Sequence, residues 1–270
     1  MKRLACLLAL LALAGCGGGE ESATDILSET ADNLGEIRSG DLSLELLFSG
    51  KAGERQGFRL EGPFALEGGA LPEAELDYVQ IAGAEEAQVR FISTGGNAFV
   101  EVGGTAYKLP PKLVAEIKEA SGDLETEGLG ERIELGNWIE NPRRAEGGTV
   151  GGTDTDRIAA DLNVVNVVNG LVEIAAAFGG RASPTRVEGQ AAEQLRRAVD
   201  TARIEVYTGK DDRLLRRLVI SMDFSPEVPG EVKRILGASV DFDFAISDPN
   251  KDVSISPPQD ARPYTDLLGE

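Results

Sequence analysis

Side chains able to do chemistry are few in this chain of 270 residues. Histidine is absent, which removes the commonest general base and metal ligand and every Ser-His or Cys-His nucleophile pair. Cys6 and Cys16 both lie at the extreme N-terminus, so no thiolate zinc site or disulfide staples the body. Asp154 with Asp156, and Asp241 with Asp243, stand at strand spacing, as paired carboxylates for acid and base work would; base rates favour solvated outward faces for both. Asp248-Pro249-Asn250-Lys251-Asp252 opens like a calcium loop, but Val253 stands where glycine is needed and Gln259 where the bidentate Glu belongs. That leaves a polar turn and no metal site. Arg196-Arg197 and Arg216-Arg217 are basic doublets in an acidic chain and read as surface ion-pair partners. No G-x-S-x-G, S-x-x-K or H-E-x-x-H occurs, and Gly95-Gly96 and Gly103-Gly104 sit between short strand-like runs as turns, not as a phosphate loop. Neither an enzyme nor a cofactor site is expected.

Chemistry does have a place at the N-terminus. Met1-Lys2-Arg3 and the apolar run Leu4 to Ala14 have the charged and hydrophobic regions of a secretory signal. Eleven residues are too few to cross about 30 Å of hydrocarbon as a helix. The run ends Leu13-Ala14-Gly15-Cys16, which resembles the bacterial lipobox, where the cysteine thiol receives a diacylglyceryl group and becomes the first mature residue. The expectation is a signal peptide over 1–15, an acylated Cys16 with a flexible tether over 16–22, and a domain over 23–270. It makes the protein extracytoplasmic and lipid-anchored to the cell membrane, and leaves no free thiol, as suits such a compartment.

Lys+Arg number 27 against 46 Asp+Glu, a net charge of −19 that cleavage after Gly15 would take to −21. Such a body repels phosphate backbones and anionic headgroups, so nucleic acid is excluded as a partner, and membrane attachment must come from acyl chains at Cys16.

The elements that would position a site follow from periodicity. Ser22 and Asp25 form a capping-box-like start to a helix reaching about Arg38. Alternation at Leu42, Leu44, Leu46 and Phe48, and runs near 56–61, 74–82, 87–94, 97–102 and 105–109, predict an antiparallel meander. Pro110-Pro111 opens a helix over 112–120; a polar, Gly-rich, linker-like stretch runs from Ser121 to Gly152 and holds Trp138; strand pattern resumes at Thr153 to Leu162. Asn163 could cap a helix over 164–178, another helix spans about 188–201, and strands return at 204–208, 214–224 and 240–246. With no βαβ alternation, the fold class is α+β: one strongly curved antiparallel sheet with several helices on its concave face. A two-domain split near 121–152 is the alternative.

Residues 164–178 are the most apolar stretch beyond the signal. Asn166, Asn169 and Glu173 fall on one narrow stripe, so this is either a buried core helix or one wall of an apolar cavity, and the stiff valines around Gly170 suit both.

Several pieces together resemble the actinobacterial LppX/LprA/LprF/LprG lipoprotein family: the lipobox at Cys16, the opening helix, the hairpin Asn97-Ala98-Phe99-Val100-Glu101-Val102-Gly103-Gly104-Thr105-Ala106-Tyr107-Lys108-Leu109-Pro110, Gly152 to Ile158, Ile204 to Leu218, and Ile255-Ser256-Pro257-Pro258. The resemblance implies a half-barrel related to the LolA/LolB carriers, with helices over its open side and an apolar cavity for acyl chains of a lipid or glycolipid. Walls of that cavity are expected from Leu44, Leu46, Phe48, Val89, Phe91, Val168, Leu171, Val172, Ile220, Phe242 and Phe244. A related architecture serves the RseB/MucB stress sensors, so the second functional class is an envelope sensor or interaction module that binds a protein partner.

Overall fold

The computed structural model describes residues 21–50, 54–66, 71–121, 135–177, 186–225 and 238–269. The expected signal peptide over 1–15, Cys16 and the expected tether as far as Glu20 lie outside these residues. Helix α1 (Ala23–Asp32) starts as its sequence predicts: Ser22 Oγ accepts the Asp25 N–H at 3.1 Å and donates to the Asp25 carboxylate at 2.6 Å. A 3-10 turn (Asn33–Glu36) then ends it short of Arg38, where Gly35 makes continuation of the helix costly.

Strands β1 (Ser39–Ser49), β2 (Arg55–Ala65), β3 (Glu73–Ala82), β4 (Glu85–Thr94), β5 (Ala98–Val102) and β6 (Thr105–Lys108) form a meander. After α2 (Pro111–Ser121) come a short α3 (Leu135–Trp138), β7 (Ile139–Val150), β8 (Thr153–Leu162), α4 (Val164–Ala177), α5 (Gly189–Ala198), β9 (Val199–Gly209), β10 (Leu215–Phe224), β11 (Ser239–Ser247), β12 (Arg262–Pro263) and α6 (Tyr264–Leu268). Among the described residues twelve strands join one open sheet in the order β12-β6-β5-β4-β3-β2-β1-β11-β10-β9-β8-β7. Every pairing is antiparallel except the two-residue contact of β12 with β6. Gly62 lets β2 pass close to β3: its φ is +142° and a Cβ there would stand 2.1 Å from the Glu75 carbonyl oxygen, a close approach open only to glycine.

Two expectations are corrected. The stretch read as linker-like holds, from Leu135 on, the helix α3 and the long strand β7. Its alternation is broken by register shifts between Glu140 and Arg143 and between Glu146 and Gly148, and as the sheet's outermost strand it keeps most of its side chains polar and exposed. The helix expected to reach Thr201 ends at Ala198, because β-branched Val199 and Thr201 pair with Phe224 and Asp223 on β10.

A polar knot fastens the first described residues to one rim of the sheet. Asp156, read from spacing as solvated, is buried: Arg144 donates to its Oδ1 from Nε at 3.1 Å and Nη2 at 2.9 Å, and Arg213 Nη1 donates to its Oδ2 at 2.9 Å. Arg213, in the left-handed region at φ 55°, also pairs with Glu21 and, at 3.6 Å, Glu29. Arg216, expected at the surface, is buried with its guanidinium on Asp212 at 2.5 Å and the Leu214 carbonyl at 3.1 Å; the irregularity between Leu215 and Arg217 turns it inward. Its neighbour Arg217 and Arg196 do form surface pairs, with Asp243 and Glu193. Asp154 is exposed and takes the Thr149 hydroxyl at 3.2 Å; Asp241 is exposed and takes that of Ser221 at 3.0 Å.

Burial pushes the Asp156 carboxyl up, but the hydrogen bonds and charges of Arg144 and Arg213 outweigh it and hold the group below the usual Asp value. A carboxyl depressed on folding contributes stability that is complete above its unfolded pKa and is lost as pH falls through its folded one. Asp156→Asn is therefore expected to cost about 1–3 kcal/mol near neutrality. The difference in melting temperature from wild type should narrow progressively below about pH 4, as thermal melts across pH 2–7 will register.

Candidate functional site

The register builds one apolar face strand by strand. Val89, Tyr78, Leu60, Leu44, Phe244, Leu218, Val206 and Ile158 are successive cross-strand partners from β4 to β8. Phe58, Leu46, Phe242, Ile220, Ile204 and Ala160 form a second row beside it. Alternation puts these side chains on the same face. Phe58 and Tyr78 stack at 5.9 Å and Phe242 and Phe244 at 6.5 Å between ring centroids, and burial raises the Tyr78 hydroxyl pKa. From Leu60 to Ile158 the first row is buried, whereas Tyr78 and Val89 are half-buried.

Helices α1, α3, α4 and α5 bury side chains in the same cluster as these rows. Asn163 opens α4 as its sequence predicts, its Oδ1 accepting the Asn166 N–H at 3.3 Å. Val167, Val168 and Leu171 are buried and Val172 nearly so. The polar stripe opposite them anchors the helix laterally: Asn166 donates to the Asn137 carbonyl at 2.9 Å, Asn169 exchanges hydrogen bonds with Val187 at 2.8 and 3.3 Å, and Glu173 pairs with Arg186 at 3.0 Å. Gly170 lies flat against Trp138, where a Cβ would come within 2.4 Å of indole Cζ2. The sole tryptophan is thus a buried plate on which α4 rests.

Of the eleven residues nominated as walls, Leu44, Leu46, Val168, Leu171, Val172, Ile220, Phe242 and Phe244 meet in this one cluster, with Phe48 packed half-buried against it. Phe91 is placed apart, against a second cluster of Leu71, Ala98 and Leu109 that also receives Val100, Tyr264 and the α2 side chains Leu113, Val114 and Ile117. Val89 is half-buried on the same strand as Phe91. Phe58, Leu60, Tyr78, Ile158, Ile204, Val206 and Leu218 went unnominated, although alternation within their own runs was the signal that could have found them.

The open hollow at the β7–β8 edge is of another kind, lined by Arg144, Ala145, Glu146, Asp156 and Lys210. Among the described residues no three His, Cys, Asp or Glu side chains converge to hold a metal ion. The 248–252 segment is a polar turn fastened to β1: Asn250 Oδ1 accepts the Arg38 N–H at 2.8 Å and Lys251 pairs with Asp41. Among the described residues no helix is long and apolar enough to cross a membrane.

Gly170→Ala separates packing from propensity. Alanine favours a helix by about 1 kcal/mol over glycine, while overpacking a core costs about 1–3 kcal/mol. We expect a net loss of melting temperature and an altered Trp138 emission, and the loss should vanish when the same change is made in Trp138→Leu protein.

No family model and no curated protein matches this chain. Solved structures similar to it include LprF from Mycobacterium bovis, 12% identical over 87% of this chain and 96% of that one, with a TM-score of 0.47. A chain of the MucA/MucB complex of Pseudomonas aeruginosa is 10% identical over 88% of this chain and 59% of its own, at 0.31. A LolA superfamily protein of Nitrosomonas europaea is 9% identical over 86% and 95%, at 0.25.

Proposed function

We propose that the mature protein is a non-enzymatic lipoprotein, held outside the cytoplasm by a diacylglyceryl group on Cys16, whose domain over 23–270 binds acyl chains of a lipid or glycolipid and carries them within the cell envelope. The observation that supports this reading is the apolar face itself. It crosses eight strands without a charged side chain in its first row, and it passes from complete burial under α4 to half-burial at Phe48, Tyr78 and Val89. Toward β4 the face ends in half-buried aromatic and aliphatic side chains, where an acyl chain would gain about 0.8 kcal/mol for each buried methylene, while at its other margin it meets Arg144, the partner of Ile158 on β7. The nominated walls Leu44, Leu46, Phe48, Val168, Leu171, Val172, Ile220, Phe242 and Phe244 would line such a slot between sheet and helix, with Val89 and Phe91 extending it along β4.

Two measurements test the reading. Replacing Cys16 with Ala should abolish labelling by a fatty-acid analogue in cells; labelling that persists in Cys16→Ala protein would refute the anchor. Val168 is 1% exposed on the inward side of α4, so Val168→Trp places an indole where the chains would lie. Native mass spectrometry of wild type should show co-purifying lipid, with occupancy falling in the variant while the melting temperature of delipidated protein stays nearly constant. A melting loss equivalent to about 1–3 kcal/mol with no lipid in either protein would mark a filled core and favour a protein-binding envelope sensor.

A further inference from the structure

Strand β4 is paired along its whole length on one side only. Its ten residues meet β3 from Glu85–Ala82 to Thr94–Glu73, whereas on the other side β5 takes only Arg90 to Ser93 before the β5–β6 hairpin turns back at Gly103-Gly104. The turn that joins β4 to β5 sets the direction of the main-chain groups. Thr94 N–H donates to the Asn97 carbonyl at 3.0 Å, and hydrogen-bonded pairs recur at every second residue of an antiparallel ladder. Ile92, Arg90, Gln88 and Glu86 therefore turn their N–H and C=O groups to the β5 side, and Ala87 and Val89 turn theirs to β3. Among the described residues no strand or backbone hydrogen bond meets the N–H and C=O of Glu86 and Gln88, so β4 ends in a ledge with two donors and two acceptors in a row.

The ledge is open to solvent. Glu85, Glu86, Ala87 and Gln88 are exposed, and a Cβ on Gly103 or Gly104 would meet nothing within 4 Å. Its two sides differ in chemistry. On the inner side Val89, half-buried opposite Tyr78, ends the first apolar row, and Ala87 follows it opposite Gln80. On the outer side stand Glu86 and Gln88, with Glu85 at the turn. The strand's one cation, Arg90, is taken up by Asp77 and Glu75, and among the described residues no ion pair reaches Glu85 or Glu86.

We infer that the Glu85–Val89 ledge is a docking site for an extended segment of a partner protein, added to β4 as a further strand, with apolar side chains turned inward beside Ala87 and Val89 and basic ones outward beside Glu86. A free strand edge binds main chain, and the side chains that flank it select the sequence. Charge selects against a second copy of this chain, because two ledges brought together would set glutamates against glutamates on bodies that each carry −19. A cationic strand turns the same repulsion into attraction. The contact uses main-chain groups at the free edge of β4 and none of the buried face, so it stands whether or not that face holds a lipid.

The probe is a capped seven-residue peptide of alternating lysine and valine, offered to the full chain at about 0.15 M salt, where exposed charges more than about 8 Å apart are screened. Amide hydrogen exchange followed by NMR in the free protein should be fast at Glu86 and Gln88 and slow at Ala87 and Val89, and the peptide should slow it at 86 and 88 about tenfold. The same peptide N-methylated at every residue keeps its charge and side chains but donates no main-chain hydrogen bond, and it should leave exchange unchanged. Gln88→Pro removes a donor from the free edge while leaving the β3 ladder intact, so it should weaken binding of the unmethylated peptide about tenfold with little change in melting temperature. Protection of 86 and 88 in the free chain at all concentrations, no binding of the lysine–valine peptide, equal binding of its methylated form, or binding that Gln88→Pro leaves unchanged overturns the site. Protection that develops without peptide as the protein is concentrated makes the occupant a second copy and overturns the partner. Where Gln88→Pro fails to fold, the methylated peptide on the wild-type chain decides.

Discussion

The pairing of β1 with β11 is the contact on which the remaining architecture depends. It joins the meander built from the first hundred residues to the strands of the last third, with nine residues in unbroken antiparallel register from Asp41–Ser247 to Ser49–Ser239. Because the side-chain period of a strand is two, a slip of one residue here would turn Leu44, Leu46, Phe242 and Phe244 to the opposite face together. Both apolar rows cross this seam, so the face exists only when the two halves meet in this register. The outer face reinforces it with opposite charges: Arg217 meets Asp243 on β10–β11, Arg59 meets Glu45 on β1–β2, and Arg157 meets Glu205 on β8–β9. Each such pair contributes little singly, on the order of 0.2–1 kcal/mol, but all are compatible with one register.

Helix α4 owes its place to the division of labour between its two sides. Its valines and leucine give burial, which is non-directional and would tolerate rotation or sliding of a smooth apolar cylinder. Direction comes from Asn166, Asn169 and Glu173, whose hydrogen bonds and ion pair to Asn137, Val187 and Arg186 fix the rotation, and from Gly170, which admits the Trp138 ring at a distance no other residue allows. The result is a helix set in one orientation over a sheet face, with its grip located at the flank and not in the apolar interior.

How much of this is legible in the sequence depends on whether local pattern or tertiary pairing decides. Leu42 to Leu46 and Val240 to Ile246 alternate because one side of each strand meets apolar neighbours and the other meets polar ones, and Leu47, buried on the opposite face, breaks the period in the first. The capped starts at Ser22 and Asn163 are local hydrogen bonds, and they read directly. Strand β7 did not read, because an edge strand buries little and its two bulges destroy the period. Asp156 and Arg216 read as surface groups because base rates place lone charges in water; the burial of Asp156 depends on Arg144 and Arg213, 12 and 57 residues away, and that of Arg216 on the irregular β9–β10 turn that sets it on Asp212 and the Leu214 carbonyl. Spacing alone carries no trace of such partners. The apolar walls divide likewise: the alternating strands nominate themselves, while the separation of Phe91 into a second cluster under α2 is set by where the sheet's helices happen to lie.

The two margins of the sheet bear on how copies of this protein behave beside one another. Among the described residues the sheet ends in β7 and β12, and the margins of an open sheet can template growth into larger β-assemblies. Here both are blunted in the same chemical way. β7 carries Pro142, two bulges, a left-handed Asn141 at φ 50° and a run of exposed charges; at the other end, β12 offers only Arg262 and Pro263 before the chain turns into α6. A proline at each margin withholds an N–H where a neighbouring strand would need one. Molecules crowded laterally are thereby kept from zipping edge to edge, and a sheet twelve strands wide stays a discrete particle instead of a seed for fibres.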